Sequence, residues 1–149
     1  MTSEAICLDA NILVSNLDPA ESYHLMSHEL IQSVYEKSWP IYIPAVFLFE
    51  AFSSVYKKRY LGLLSEDQAS NTLEMLQQLP FLIHADLDIL QEAKKMASQL
   101  GLKRMNDFTY VAVAKKRKIP FVTLDEQLIK SGKQFYPDIF HVKEYTDIS

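Results

Sequence analysis

Ile6-Cys7-Leu8-Asp9-Ala10-Asn11-Ile12-Leu13-Val14 decides how the rest of the chain is read, because an apolar run near the amino terminus is broken there by one carboxylate and one amide, two residues apart. The pattern predicts a short buried strand, Ala5 to Leu8, handing over to a helix at Asp9. In an open parallel sheet, ligands collect beyond the carboxyl ends of the strands, so an acid placed where the first strand stops is aimed at that crevice. Asp9 and Asn11 share a face if the backbone is still extended there. Three further acids stand in comparable places: Glu50 after a second β-like run, Asp107 at a helix start, and Asp125 at the end of Val122-Thr123-Leu124. Four carboxylates that converge need a divalent cation between them.

Strands alternate with helical stretches along the chain. Asp18-Pro19 reads as an N-cap followed by proline, opening a helix to about Lys37 with Tyr23, Met26, Leu30 and Val34 inward. Ile41 to Ile43 is the next strand, which Pro44 ends; a helix follows with Val46, Phe47, Ala51, Val55 and Tyr56 or Tyr60 on its buried side and Glu50 one to two turns in. Ser65 with Gln68 forms a capping box, and Ala69, Leu73, Leu76 and Leu79 carry the helical period to Pro80. Phe81 to Ile83 is a third strand, followed by a helix from about Leu87 to Leu100 that buries Leu90, Ala93, Ala97 and Leu100, with Gly101 as its stop. A helix begins near Asn106, a fourth strand spans Ile119 to Leu124, a short helix Glu126 to Ser131, and an edge strand Ile139 to Val142. The expected fold class is α/β, a parallel sheet of about four to five strands flanked by helices.

At 149 residues, with 48% hydrophobic and 23% charged, the chain has the composition of a single globular domain and shows neither repeats nor low-complexity tracts. Its single cysteine, Cys7, rules out an intrachain disulfide and sits inside an apolar run, which fits a reducing cytoplasm. No apolar run approaches the roughly 18 residues of a membrane helix, so a soluble cytoplasmic protein is expected. A formal charge of −4 argues against a globally basic nucleic-acid binder but leaves room for local basic patches.

Each acid has a structural alternative, since aspartates after strands and at helix starts commonly cap helices. Glu50 is harder to explain that way, because it interrupts Phe47-Leu48-Phe49-Glu50-Ala51-Phe52 and burying an unpaired carboxylate is costly; a solvent-facing position or a lysine partner is its plain reading. Oxygen donors without a His or Cys cluster favour a hard ion, Mg²⁺ or Mn²⁺. His24 and His28 stand four apart, a spacing that can hold zinc, but no glutamate base lies between them and no third ligand is evident. With three glycines in all, there is no phosphate-cradling loop, which removes the dinucleotide and P-loop classes.

Taken together, these residues resemble the PIN domain family, the small metal-dependent ribonuclease fold found in the toxin subunits of many toxin–antitoxin pairs. Leu8-Asp9-Ala10-Asn11-Ile12-Leu13 is similar to the family's opening motif, Glu50 to its glutamate after the second strand, and Asp107 and Thr123-Leu124-Asp125-Glu126-Gln127-Leu128 to its third and fourth acidic positions. Ala10 stands where Ser or Thr is frequent, and Phe108 where a small residue usually follows the third acid. The resemblance covers residues 5–128 and implies one domain over residues 1–149.

What it implies for function is an RNA endonuclease using Mg²⁺ or Mn²⁺ and leaving a 5′-phosphate and a 3′-hydroxyl. Asp9, Asp107 and Asp125 are then metal ligands, Glu50 binds metal or orients the attacking water, and Asn11 and Thr123 support them. Lys103 and Arg104, just before Asp107, are the expected RNA contacts, whereas Lys57-Lys58-Arg59 and Lys115-Lys116-Arg117-Lys118 lie at helix ends where cations offset the dipole. An antitoxin protein is an expected partner, and the aromatic surplus of Phe47 to Leu64 implies a homodimer. Two other classes compete: a catalytically silent PIN-like module that holds RNA or protein, and a metal-dependent phosphatase with Asp9 as nucleophile, which would want an acid where Asn11 stands.

Overall fold

The computed structural model describes residues 4–145. β1 (Cys7–Leu8) hands over at once to α1 (Ala10–Leu17), and then come α2 (His24–Glu36), β2 (Ile41–Pro44), α3 (Val46–Tyr60), α4 (Glu66–Gln77), β3 (Phe81–His84), α5 (Leu87–Gln99), α6 (Asn106–Arg117), β4 (Phe121–Thr123), α7 (Glu126–Gly132) and β5 (Ile139–His141). All strand pairs are parallel: β1-β4-β5 form one sheet and β2-β3 another. The Ile6–Ile41 bridge, with Tyr42 N–H donating to the Ile6 carbonyl at 2.9 Å, joins the two into the order β3-β2-β1-β4-β5. Central strands of such a sheet are covered on both faces and read as continuous apolar runs. Accordingly Ile6, Cys7, Leu8, Phe121 and Val122 are all fully buried.

Register does the work that positions the site. Cys7 pairs with Phe121 and Leu8 with Val122, so the next residues along, Asp9 and Thr123, arrive side by side at the carboxyl ends of adjacent strands. The sequence left open how the chain returns to that edge after α5, and the answer is a helical hairpin. Lys116 pairs with Asp86 and Asp88 at 3.0 and 2.8 Å, and Lys115 with Glu92 at 3.0 Å, tying the end of α6 to the start of α5. The turn between them, with Gly101 at φ 67°, therefore delivers the start of α6 to the acid-bearing edge.

Four local expectations are corrected. Asp18-Pro19 does not open a helix: the Asp18 carboxylate accepts from Ala20 N–H at 3.0 Å in a local turn, and α2 starts at His24. The inner face of α2 is Ser27, Leu30, Ile31 and Val34, and Met26 is exposed. On α5 the buried residues are Ile89, Ala93, Met96 and Ala97, so Leu90 lies off the stripe. Tyr56 and Tyr60 on α3 face outward, leaving Phe47, Ala51 and Val55 as its buried side.

Candidate active site

Asp9 is the N-cap of α1, accepting from Asn11 N–H at 3.2 Å, and its second oxygen accepts from the Thr123 hydroxyl at 2.8 Å. That hydroxyl in turn accepts from the Asn11 side-chain amide at 3.3 Å and from Asp125 N–H at 3.1 Å, so its one hydrogen and both lone pairs are engaged. The carbonyl of the Asn11 side chain accepts from Leu124 N–H at 3.3 Å. Asn11 and Thr123 thereby stitch the start of α1 to the end of β4. Asp125 caps α7, taking Gln127 and Leu128 N–H at 3.0 and 3.1 Å on one oxygen. Capping and convergence are thus not alternatives here, since Asp9 and Asp125 do both.

Glu50, half-buried, accepts from the Tyr110 hydroxyl at 2.5 Å. Asp107 stands in the first turn of α6, whose N-cap is Met105, and makes no capping bond of its own. Burial first, and then the neighbouring Glu50 and Asp107 charges, push the Asp9 carboxyl up to about 7, against the pull of its Thr123 and Asn11 hydrogen bonds. Glu50 is also raised, by burial and then by Asp107, and Asp107 by burial and then by Asp125. The repulsions link all four acids into one set.

A cleft of about 290 Å³ is lined by Asp9, Asn11, Glu21, Glu50, Asp107 and Asp125. Beside it a second pocket of about 410 Å³ shares Asp107 and Asp125 and adds Lys103, Arg104, Phe108, Gln127 and Leu128. Thr123 is wholly buried behind Asp9. In the other basic runs, Lys58 is held by Asp18 and Glu21, Arg59 by Glu66, Lys115 and Lys116 by the acids of α5, and Arg117 stacks on Tyr42. Sequence reasoning missed Tyr110, whose signal was its position one helical turn after Asp107, and Glu21, which carried none. His24 and His28 are committed to the Ser15 carbonyl and the Asn16 side chain.

Among the described residues, no three His, Cys, Asp or Glu side chains form a ready-made metal cage. The donor set still fits a hard cation, because Mg²⁺ keeps several of its waters and is commonly held by one or two carboxylates. Arg104 offsets part of the charge on Asp107, but the mutual repulsion still raises Asp9, Glu50 and Asp107, and a bound cation would relieve it.

The sequence profile of the PIN domain matches residues 6–133. Over 82 residues the chain is 35% identical to Ribonuclease VapC3 of Pyrobaculum aerophilum, an alignment spanning 54% of this chain and 62% of that protein's length. The crystal structure of PAE2754 from the same organism superposes with a TM-score of 0.67 at 22% identity, over 93% of this chain and 90% of the other. A toxin–antitoxin complex from Klebsiella pneumoniae gives 0.64 at 17% identity, over 95% and 100%. These superpositions establish the parallel α/β architecture, and the profile runs from β1 through α7 and takes in all four acids. The chain belongs to the PIN domain family.

Proposed function

We propose that the chain is an endoribonuclease dependent on Mg²⁺ or Mn²⁺, and the toxin of a toxin–antitoxin pair. The observation that carries this reading is the single cleft lined by Asp9, Glu50, Asp107 and Asp125 in a chain of the PIN family. Further support comes from a curated relative named as a ribonuclease and a structural neighbour solved as a toxin–antitoxin complex. Asp9, Asp107 and Asp125 would hold the cation, and Glu50 would bind it or orient the attacking water. When bound, a divalent cation supplies Lewis-acid polarisation of the phosphodiester and an acidic water at neutral pH.

The chain's own residues supply the rest. Thr123 and Asn11 fix Asp9 and Asp125 relative to each other, and Tyr110 holds Glu50 through its hydroxyl. Lys103 and Arg104, which make no ion pair among the described residues, meet the RNA phosphates at the cleft's rim. Water adds to phosphorus, the bond to the 3′ oxygen breaks, and that oxygen takes a proton, leaving a 5′-phosphate and a 3′-hydroxyl.

The test is cleavage of single-stranded RNA by the full chain in Mn²⁺, with and without chelator, beside Asp125→Asn. Asparagine caps helices about as well as aspartate, so the fold is kept while the charge goes. The expected loss is on the order of a hundredfold in rate. Metal-independent cleavage, or an Asp125→Asn variant of normal rate, contradicts the assignment; no cleavage above that variant makes the chain a silent binding module.

A further inference from the structure

We propose that His24 and His28 form a second metal site, apart from the acid cleft, which takes a transition ion of the Zn²⁺, Ni²⁺ or Cu²⁺ class on two imidazole nitrogens. Nothing in it depends on RNA cleavage.

Residues four apart on a helix lie over one another on a single face, and a His pair at that spacing is the arrangement by which helices hold zinc. Here His24 opens α2 and His28 follows one turn later. Their rings are stacked, with centroids 6.2 Å apart and planes 24° from parallel.

The state of each ring adds what spacing cannot. His24 Nδ1 lies 2.9 Å from the Ser15 carbonyl oxygen, and His28 Nδ1 lies 3.0 Å from the side-chain oxygen of Asn16. Such oxygens only accept, so each Nδ1 carries its proton and donates it, and each Nε2 is left with a lone pair. Ser15 and Asn16 are both buried residues in the last turn of α1, which fixes the two acceptors. Because the rings are nearly parallel and both turn Nδ1 toward α1, their Nε2 atoms emerge together on the opposite edge. Neither Nε2 has a hydrogen-bond partner among the described residues. Metal-binding histidines are prepared in this way, with the second ring nitrogen donating to a carbonyl that sets the tautomer and the ring's orientation.

The donors also choose the ion. Imidazole suits Zn²⁺, Ni²⁺ and Cu²⁺, with bonds of about 2.0–2.1 Å to zinc, whereas the oxygen donors of the cleft suit Mg²⁺ and Mn²⁺. His28 is exposed and His24 half-buried, so the rings can lean together until both Nε2 atoms reach one ion. No third His, Cys, Asp or Glu completes a cage among the described residues, so water fills the other positions and the ion is exchangeable.

The test is a Zn²⁺ titration of the full chain in excess Mg²⁺, followed through the ring ¹⁵N resonances. The expected result is that the Nε2 signals of His24 and His28 move together and saturate with one ion per chain, while those of His84 and His141 stay in place. In competition with a chromophoric chelator, His24→Gln and His28→Gln should each weaken Zn²⁺ binding at least about tenfold, and excess Mn²⁺ should not displace the zinc.

Unmoved Nε2 signals at stoichiometric Zn²⁺ would show that the two rings only tie α2 to α1, and would overturn the site. So would a His24 shift that keeps its Zn²⁺ affinity in His28→Gln, or zinc binding that is lost in Asp107→Asn and retained in His28→Gln, which would place the ion in the cleft. The wild-type spectrum needs no substitution, and it decides the matter if His24→Gln fails to fold.

Discussion

Thr123 is the residue on which the acid arrangement turns, because it is itself fully buried and its hydroxyl donates to Asp9 and accepts from Asn11 and from Asp125 N–H. Thr123→Val keeps the shape and removes all three bonds, leaving buried polar groups unmatched. We expect a loss of about 1–3 kcal/mol in urea unfolding, and a loss below a few tenths would show the hydroxyl to be incidental. Asp9 gives a pH signature. Its carboxyl is held at about 7 in the fold, against about 4 in the unfolded chain. With the folded value the higher, the stability tied to this group is fully present below about pH 4 and is lost as pH rises through 7. In chelator, therefore, the wild type should lose stability relative to Asp9→Asn between about pH 5 and 8. A wild-type minus variant difference that stays flat over that window contradicts the buried charge. Tyr110→Phe belongs at the same scale: it frees Glu50 and should lower the rate of RNA cleavage about tenfold, with a change in its pH profile.

Among the elements, α4 has the most complete local signal, a capping box in which Ser65 and Gln68 each bond the other's backbone N–H, at 3.1 and 2.8 Å. Ser65→Ala should lower stability by about 1 kcal/mol, a fall of a few degrees in Tm by calorimetry. Local signals of this kind made much of the fold readable. The capping box, the apolar runs of β1, β2 and β4, and the acid-to-helix transitions at Asp9 and Asp125 each depend on a few adjacent residues. Where the sequence misled, the deciding contact was distant. Asp18 carries a cap signature, but Lys58, forty positions on, holds its second oxygen at 2.6 Å while the first closes a turn. Phase failed on α2 and α5 because the large residues Met26 and Leu90 drew the stripe toward themselves, whereas the buried positions next to them include Ser27 and Ile89. At the site, the four acids, Asn11 and Thr123 were legible as residue types at strand ends. Tyr110 was not, since an aromatic in an apolar helix is first of all core, and indeed it stacks on Phe121 at 5.4 Å.

For the whole molecule, the outward aromatics of α3 are the feature a lone domain does not explain. Phe49, Tyr56 and Tyr60 are 74%, 70% and 76% exposed, and with Phe52 and Leu73 they edge a groove of about 660 Å³ between α3 and α4. An apolar surface of that kind is usually covered by a partner. We expect a dimer by light scattering at micromolar concentration and a halved mass in a Tyr56→Glu, Tyr60→Glu double variant; a monomeric wild type would contradict the homodimer. The central claim, however, is that the four acids of the sheet's carboxyl edge act as one cation site, and it can be tested without any substrate. The measurement is the Tm of wild type and Asp107→Asn, with chelator and with Mn²⁺ at about a hundred times its Kd. Because Asp107 makes no capping bond, asparagine there relieves repulsion at little cost to α6. Binding at that level is worth about 2.7 kcal/mol, so wild type should gain several degrees. The predicted result is that gain in the wild type and its near-complete loss in Asp107→Asn, whose metal-free Tm is equal or higher. A variant that melts lower than wild type in chelator and keeps the full Mn²⁺ shift would show that Asp107 supports a helix and that the acids do not share a cation.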